Sequence, residues 1–199
     1  MPEETDEALL DAWRAGHNDA GTQLFRKYFV AVRRFFVNKV PERDVDDLLQ
    51  RTFTALVESR DAYRKDAPFR SFMFSVARNV LLRHLRDFAR KGSKRAIDFS
   101  VSSLADLAIT PRTTIALQRD HEAVRVALQK IPVHFQTIIE LSYWEGLSNA
   151  ELAEIMDVDP TTVRTRLFRA RKALMSALEG TGVAEDRVEE ATASLGQRL

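Results

Sequence analysis

The chain of 199 residues has no cysteine, which excludes disulfide frameworks, thiolate metal sites and cysteine nucleophiles and suits a reducing cytoplasm. Glycine is scarce and scattered, with seven residues in all, too dispersed for a Gly-rich phosphate loop. Long hydrophobic runs are also missing. The longest stretch without Asp, Glu, Lys or Arg is Ile131 to Ile139, far short of the roughly 20 apolar residues that span a bilayer, so no membrane insertion is expected. The amino terminus, MPEETDEALL, is acidic where a secretory signal would be basic. His17, His84, His121 and His134 fall in separate predicted segments and no H-E-x-x-H occurs. An enzymatic or metal-binding reading therefore fails on inventory; no cofactor is expected, and each histidine reads as structural.

A composition of 45% hydrophobic and 30% charged residues is that of a soluble globular protein. The net charge of +1 conceals a segregation. Residues 1–21 carry one base and six acids, residues 22–95 carry 18 bases and eight acids, and residues 180–199 carry two bases and four acids. Such asymmetry directs a polyanionic partner to one part of the molecule, although basic stretches can also be plain solvated helix faces.

Apolar residues recur at helical spacing almost throughout, and no segment alternates with period two for long. The fold class is all-α. Helices are predicted over Asp6 to Ala15, Asp19 to Asn38, Asp44 (as N-cap) to Asp61, and from near Pro68 to about Arg90. From Ala96 to Asp120 the period weakens, Ser and Thr become frequent (Thr113 and Thr114 among them), and Pro111 interrupts any helix. A second helical block runs from His121 to Glu179. The expected organisation is a first domain over 1–95, a flexible linker over 96–120, a second domain over 121–179, and an appended tail over 180–199 that is at most a weak helix.

The most specific local pattern lies between Leu147 and Leu178. Ser148 with Glu151 is a capping box, and Leu147 with Leu152 is a hydrophobic staple, which together mark a helix start at Asn149. Asp157-Val158-Asp159-Pro160 then ends that short helix, with Asp159 as cap and Pro160 in the first turn of the next. A short helix, a tight turn and a longer basic helix describe a helix-turn-helix unit, whose second helix enters the major groove. At 100° per residue, Val163, Leu167, Ala170 and Leu174 turn inward with Ala177 or Leu178, whereas Thr161, Thr165, Phe168, Arg169 and Lys172 lie opposite, flanked by Arg164, Arg166 and Arg171. Phe among arginines suits DNA better than water, because it can touch a thymine methyl while Arg reaches guanine or phosphate.

In the helix before the linker, Arg78, Asn79, Arg83, Arg86 and Arg90 share one arc, spanning about 18 Å at 1.5 Å per residue, and Lys91, Lys94 and Arg95 extend it. The preceding loop offers Tyr63 and Phe69 as stacking surfaces for unpaired bases, or equally as core residues. The helix before that has the opposite character. Asp47, Gln50, Thr54, Glu58 and Asp61 form an acidic and polar strip that would repel DNA and could dock a basic protein surface or simply face solvent.

At these residues the chain resembles the extracytoplasmic-function group of bacterial sigma factors. DVDDLLQRTFTALVESRDAYRKDAPFRSFMFSVARNVLLRHLR is similar to that group's region 2, and IELSYWEGLSNAELAEIMDVDPTTVRTRLFRARKAL to its region 4, in the same order and spacing. The resemblance implies binding to core RNA polymerase, through the β′ clamp helices and the β flap, and to promoter DNA. A minus-35 element would be read by Thr161, Thr162, Arg164, Thr165, Arg166, Phe168, Arg169, Arg171 and Lys172. A minus-10 element would be captured and melted by Tyr63, Phe69, Phe72, Arg78, Asn79, Arg83, Arg86 and Arg90, and the clamp would be met by Asp47, Gln50, Thr54 and Glu58. An anti-sigma partner is implied as well. The group commonly has Trp where this chain has Phe72, which bears on the identity of the captured base. Each small domain should bind promoter DNA weakly alone, gaining affinity when polymerase fixes their separation. The competing readings are a helix-turn-helix repressor or activator, which should bind a duplex site unaided and usually as a dimer, and a helical adaptor for acidic proteins, which should show no dependence on polymerase.

Overall fold

The computed structural model describes residues 4–63, 67–92 (for Lys91 the backbone alone), 97–111 and 118–199. Among the described residues all regular structure is helical, apart from an isolated bridge between Ser103 and Pro132. The first half comprises α1 (Asp6–Arg14), α2 (Asn18–Val37), α3 (Glu42–Ser59) and α4 (Phe69–Gly92). The second comprises α5 (Arg119–Lys130), α6 (Val133–Trp144), α7 (Asn149–Met156), α8 (Pro160–Leu178) and α9 (Val188–Gly196).

Amphipathic periodicity builds the first core. Leu9, Leu10 and Trp13 of α1 pack on α2, and Leu24, Val32, Phe35 and Phe36 carry the layer on to Leu48 and Leu56 of α3 and to Met73, Leu81 and Leu85 of α4. Helix α3 begins directly after Pro41, so Asp44 is not its N-cap; the Asp44 amide donates to the Pro41 carbonyl at 2.9 Å, and Glu42 and Asp44 sit in a first turn where negative charge is favoured.

Two expectations about the connecting segments change. Of the linker over 96–120, residues 97–111 are packed against the second half: Phe99, Leu104 and Ile109 are buried, and the amides of Val133 and His134 donate to the carbonyls of Ser102 and Phe99. Thr113 and Thr114 lie outside the described residues. The tail is no loose appendage either. After a 3₁₀ turn at Glu185–Arg187, α9 lies across α5 and α6 with Val188, Ala191 and Leu195 buried. Periodicity reports faces of helices, so single apolar anchors in turns escape it.

The buried apolar residues of both halves form one continuous core, in which α4 packs on α7, and polar groups are set into that junction. Lys39, just after α2, is fully buried and paired with Glu140 of α6. Glu140 Oε1 also accepts from Asn38 at 3.0 Å and Gln136 at 2.8 Å, and Gln129 donates to Asn38 Oδ1 at 2.8 Å. Burial pushes the Lys39 ammonium below the ordinary lysine value, while the carboxylate beside it favours the charged form. Around this centre, Arg34 reaches Glu145 at 2.7 Å, and Arg70 grips Glu151 in a two-pronged ion pair.

The tight crossing of α1 and α2 supplies a stability test. A Cβ added at Gly21 would sit 2.7 Å from the Trp13 ring. Gly21→Ala should therefore lower stability by about 1–3 kcal/mol through overpacking, outweighing the smaller gain in helix propensity. The drop should appear as a lower urea midpoint.

Candidate nucleic-acid interface

The helix-turn-helix unit forms as its sequence dictates. Ser148 Oγ accepts from the Glu151 amide at 3.3 Å while the Glu151 carboxylate accepts from the Ser148 amide at 2.9 Å, and Leu147 and Leu152 are both buried. Asp157 ends α7 in the left-handed region at φ 54°, with its amide turned back to the helix carbonyls. Asp159 Oδ1 then caps α8 by accepting from the Thr161 amide at 2.8 Å. Val163, Leu167, Ala170, Leu174 and Leu178 are buried. Arg164, Thr165, Phe168, Arg169, Arg171 and Lys172 are exposed, and Phe168 leaves 66% of its surface in water.

Four members of the candidate set are partnered within the chain or partly covered. Thr161 donates its hydroxyl to Asp159 Oδ1 at 2.6 Å and so belongs to the cap. Arg166 is half-buried, as is Thr162. Arg171 Nε donates to Tyr143 Oη at 3.0 Å and lies 3.9 Å from Glu189 of α9.

On α4 the outward residues divide. Asn79, Arg83, Arg86 and Arg90 are exposed along one strip, with Arg86 over the Phe99 ring at 5.4 Å. Arg78 is half-buried at the edge facing the second half, and its Nε has no hydrogen-bond partner. The Lys91 side chain, Lys94 and Arg95 lie outside the described residues, as do residues 64–66 of the preceding loop. Tyr63 and Phe69 are not open stacking surfaces here: both are buried, Tyr63 stacked on half-buried Phe72 with centroids 4.7 Å apart and Phe69 edge-on to both. Arg14 holds this corner by donating to the carbonyls of Arg60 and Tyr63. Three rings lose more by standing in water than by packing together, so the core reading prevails.

The acidic strip of α3 is exposed at Asp47, Gln50, Thr54 and Glu58. These residues form one wall of a groove of about 650 Å³, and Asn79, Val80 and Arg83 of α4 form the other. The sequence separates the two sets by about 30 positions; the antiparallel packing of α3 on α4 brings them face to face.

Where α4 meets the second half, like charges gather. His134 is pushed down to about 4, chiefly by burial, with Arg78, Arg166 and Arg86 adding to the effect. Burial likewise lowers Arg78, opposed by Asp157. By contrast Glu151 is held down to about 2, first of all by Arg70. No group of three or more metal-ligating side chains exists among the described residues, and no described helix is long and apolar enough to cross a membrane.

Residues 24–91 match the family described as Sigma-70 region 2, and residues 121–174 match Sigma-70, region 4. Among curated proteins, the ECF RNA polymerase sigma-E factor of Haemophilus influenzae is 26% identical over 181 residues, covering 88% of this chain and 96% of that protein. The sigma-E factor of Escherichia coli K12 is 27% identical over 177 residues, covering 85% and 92%. Among solved structures, CnrH in complex with the cytosolic domain of CnrY aligns with a TM-score of 0.64 at 26% identity, over 88% of this chain and 98% of that one. RpoE of Bartonella quintana, in complex with the anti-sigma factor NepR, shares the fold with a TM-score of 0.60 at 22% identity, over 80% and 96%. Two ordered segments, each answering to a functional region of an initiation factor, define a promoter-recognition protein that performs no bond chemistry of its own. The chain belongs to the extracytoplasmic-function group of the sigma-70 family.

His134 makes the junction sensitive to acid. Its ordinary value is 6.5 and its value in the folded chain about 4, so below about pH 6.5 the unfolded chain takes a proton that the folded chain refuses. Stability should fall as pH drops from 6.5 towards 4. His134→Gln should flatten that slope, as read from urea midpoints across the range.

Proposed function

We propose that this factor docks on core RNA polymerase in the cytoplasm through the α3 wall of the groove and reads promoter DNA with α8 and α4. The observation that carries this reading is the exposed Phe168 set among exposed Arg164, Arg169 and Lys172 on the second helix of a helix-turn-helix. An aromatic ring left two-thirds in water is costly on a solvated face and useful against a thymine methyl, with the cations taking phosphate or guanine. Asp47, Gln50, Thr54 and Glu58 suit a basic partner surface. Asn79, at the rim of the same groove, is the candidate for a downstream base edge, and Arg83, Arg86 and Arg90 are candidates for phosphate. A regulator of the kind seen with CnrH and with RpoE belongs to the same reading.

Geometry adds a requirement. Elements centred near minus 35 and minus 10 lie about 85 Å apart at 3.4 Å per base pair. A compact chain of this length has a radius of gyration of about 16 Å. Arg78 and Arg166, one from each DNA-facing set, lie within electrostatic reach of one another across the junction. Engaging both elements at once therefore requires the halves to part, with polymerase holding them at the new distance and raising the effective concentration of the second contact. Trapping extruded bases would then offset an unstacking cost of a few kcal/mol.

Run-off transcription from a random promoter library, with core polymerase and with or without this chain, tests the function and reveals both elements. On a promoter so selected, Arg169→Ala should cost about 1–3 kcal/mol of promoter affinity, and unchanged transcription would remove α8 from the reading. Asp47→Arg combined with Gln50→Ala should reduce co-purification with core polymerase while leaving the unfolding midpoint in place, since both side chains are exposed.

A further inference from the structure

Helix α9 lies outside both matched regions, yet it touches the two parts of the molecule that must move. It docks on α5 and α6, where the Trp144 indole donates to the Thr192 carbonyl at 2.8 Å and His121 Nε2 lies 2.9 Å from Ser194 Oγ. Towards its start, Glu189 accepts from Tyr143 Oη at 2.9 Å and faces Arg171 of α8. At its end, the Gly196 carbonyl accepts from Arg34 of α2 at 2.9 Å, across the junction between the halves.

The segment is built to leave. Gly180 and Gly182, both in the left-handed region at φ 78° and 83°, form the connection from α8. Nine residues fall below the length of about 12–15 at which an isolated helix holds in water, so undocking and melting would be one event. The buried set is modest, and the rim hydrogen bonds can pass to water. Docked, however, the segment has two electrostatic consequences. Arg171 is occupied by Tyr143 and Glu189, and Glu185 and Asp186 line the same cavity as Arg171, so that three carboxylates stand on its side of α8. A phosphate approaching Arg171 must displace its partners and approach these carboxylates.

We propose that α9 is a clamp acting within the chain: docked, it withholds Arg171 from duplex DNA and adds its Gly196 carbonyl to the Arg34–Glu145 contact that joins the halves; released, it frees Arg171 and weakens that junction. The DNA part rests on α8 being the DNA-facing helix, whereas the closure part stands on the contacts alone.

Gly196→Ala tests the clamp in the full-length chain. A Cβ there would lie 2.4 Å from Trp144 Cγ, so the end of α9 cannot seat. Alanine favours helix over glycine, so lost docking cannot be assigned to helix propensity. Two quantities are measured: the radius of gyration by small-angle scattering, and the affinity for a random-sequence 20-base-pair duplex at low salt. The variant should scatter as a larger particle and bind the duplex about threefold to tenfold more tightly. Glu189→Gln, which retains the docked helix, should tighten duplex binding with no change in size. An unchanged radius in Gly196→Ala overturns the closure part, and unchanged or weaker duplex binding in both variants overturns the DNA part. Adding Arg169→Ala separates the clamp from the functional reading: if that change leaves duplex binding unaltered in either background, α8 is not the DNA helix, while the scattering result still decides closure.

Discussion

The buried pair between Lys39 and Glu140 is the constraint on which the arrangement of the molecule depends. Removing two charges from water costs several kcal/mol each, and their attraction roughly repays that cost only when remaining donors and acceptors are also satisfied. Here Asn38 and Gln136 complete the carboxylate, and the Phe35 carbonyl and ring complete the ammonium. Such a centre fixes the register of the halves, and because both charges regain hydration when the halves separate, it offsets part of the cost of parting the apolar contact of α4 with α7. The apolar contact beside it gives no such return. Breaking one partner is a different matter, since it strands the other charge in the closed state and pushes the balance towards the open one.

That property fits the proposed function, in which the halves would serve distant DNA elements. The cations at the junction push in the same direction: Arg78 and Arg166 oppose one another in the closed arrangement, and His134 stays neutral beside them. Against this repulsion stand the Arg70–Glu151 and Arg34–Glu145 pairs and the end of α9. In the proposed opening, these opposing electrostatic contributions add to the cost of parting the apolar contact of α4 with α7, a balance that a partner with differential affinity can shift.

The helix-turn-helix was legible residue by residue, because a capping box, a staple, an aspartate cap and a proline in the first turn are local devices that report their position along the chain. The apolar face of α8 and the exposed Phe168 followed from 3.6-residue periodicity. Less legible was the fate of Tyr63, since an aromatic in a loop has no period, and of Phe69 at the first position of α4; only the neighbouring Phe72 and Arg14 decide that the rings pack inward. Glu140 carried a signal that periodicity passed over: it is the single carboxylate bounding the longest uncharged stretch of the chain, and a charge on so apolar a helix requires a partner. Nothing near it names Lys39, about 100 positions away.

By itself the sequence determined the helical class, the two ordered modules and the identities of the residues that face outward on α3, α4 and α8, since each depends on interactions within a few turns of chain. Only the tertiary structure decided that the modules close on one another, that the acidic strip and Asn79 share a groove, that Arg171 is already engaged, and that the last helix bridges both halves. These outcomes rest on pairings between groups far apart along the chain, and a charged side chain carries no mark of its distant counterpart until packing places the two together.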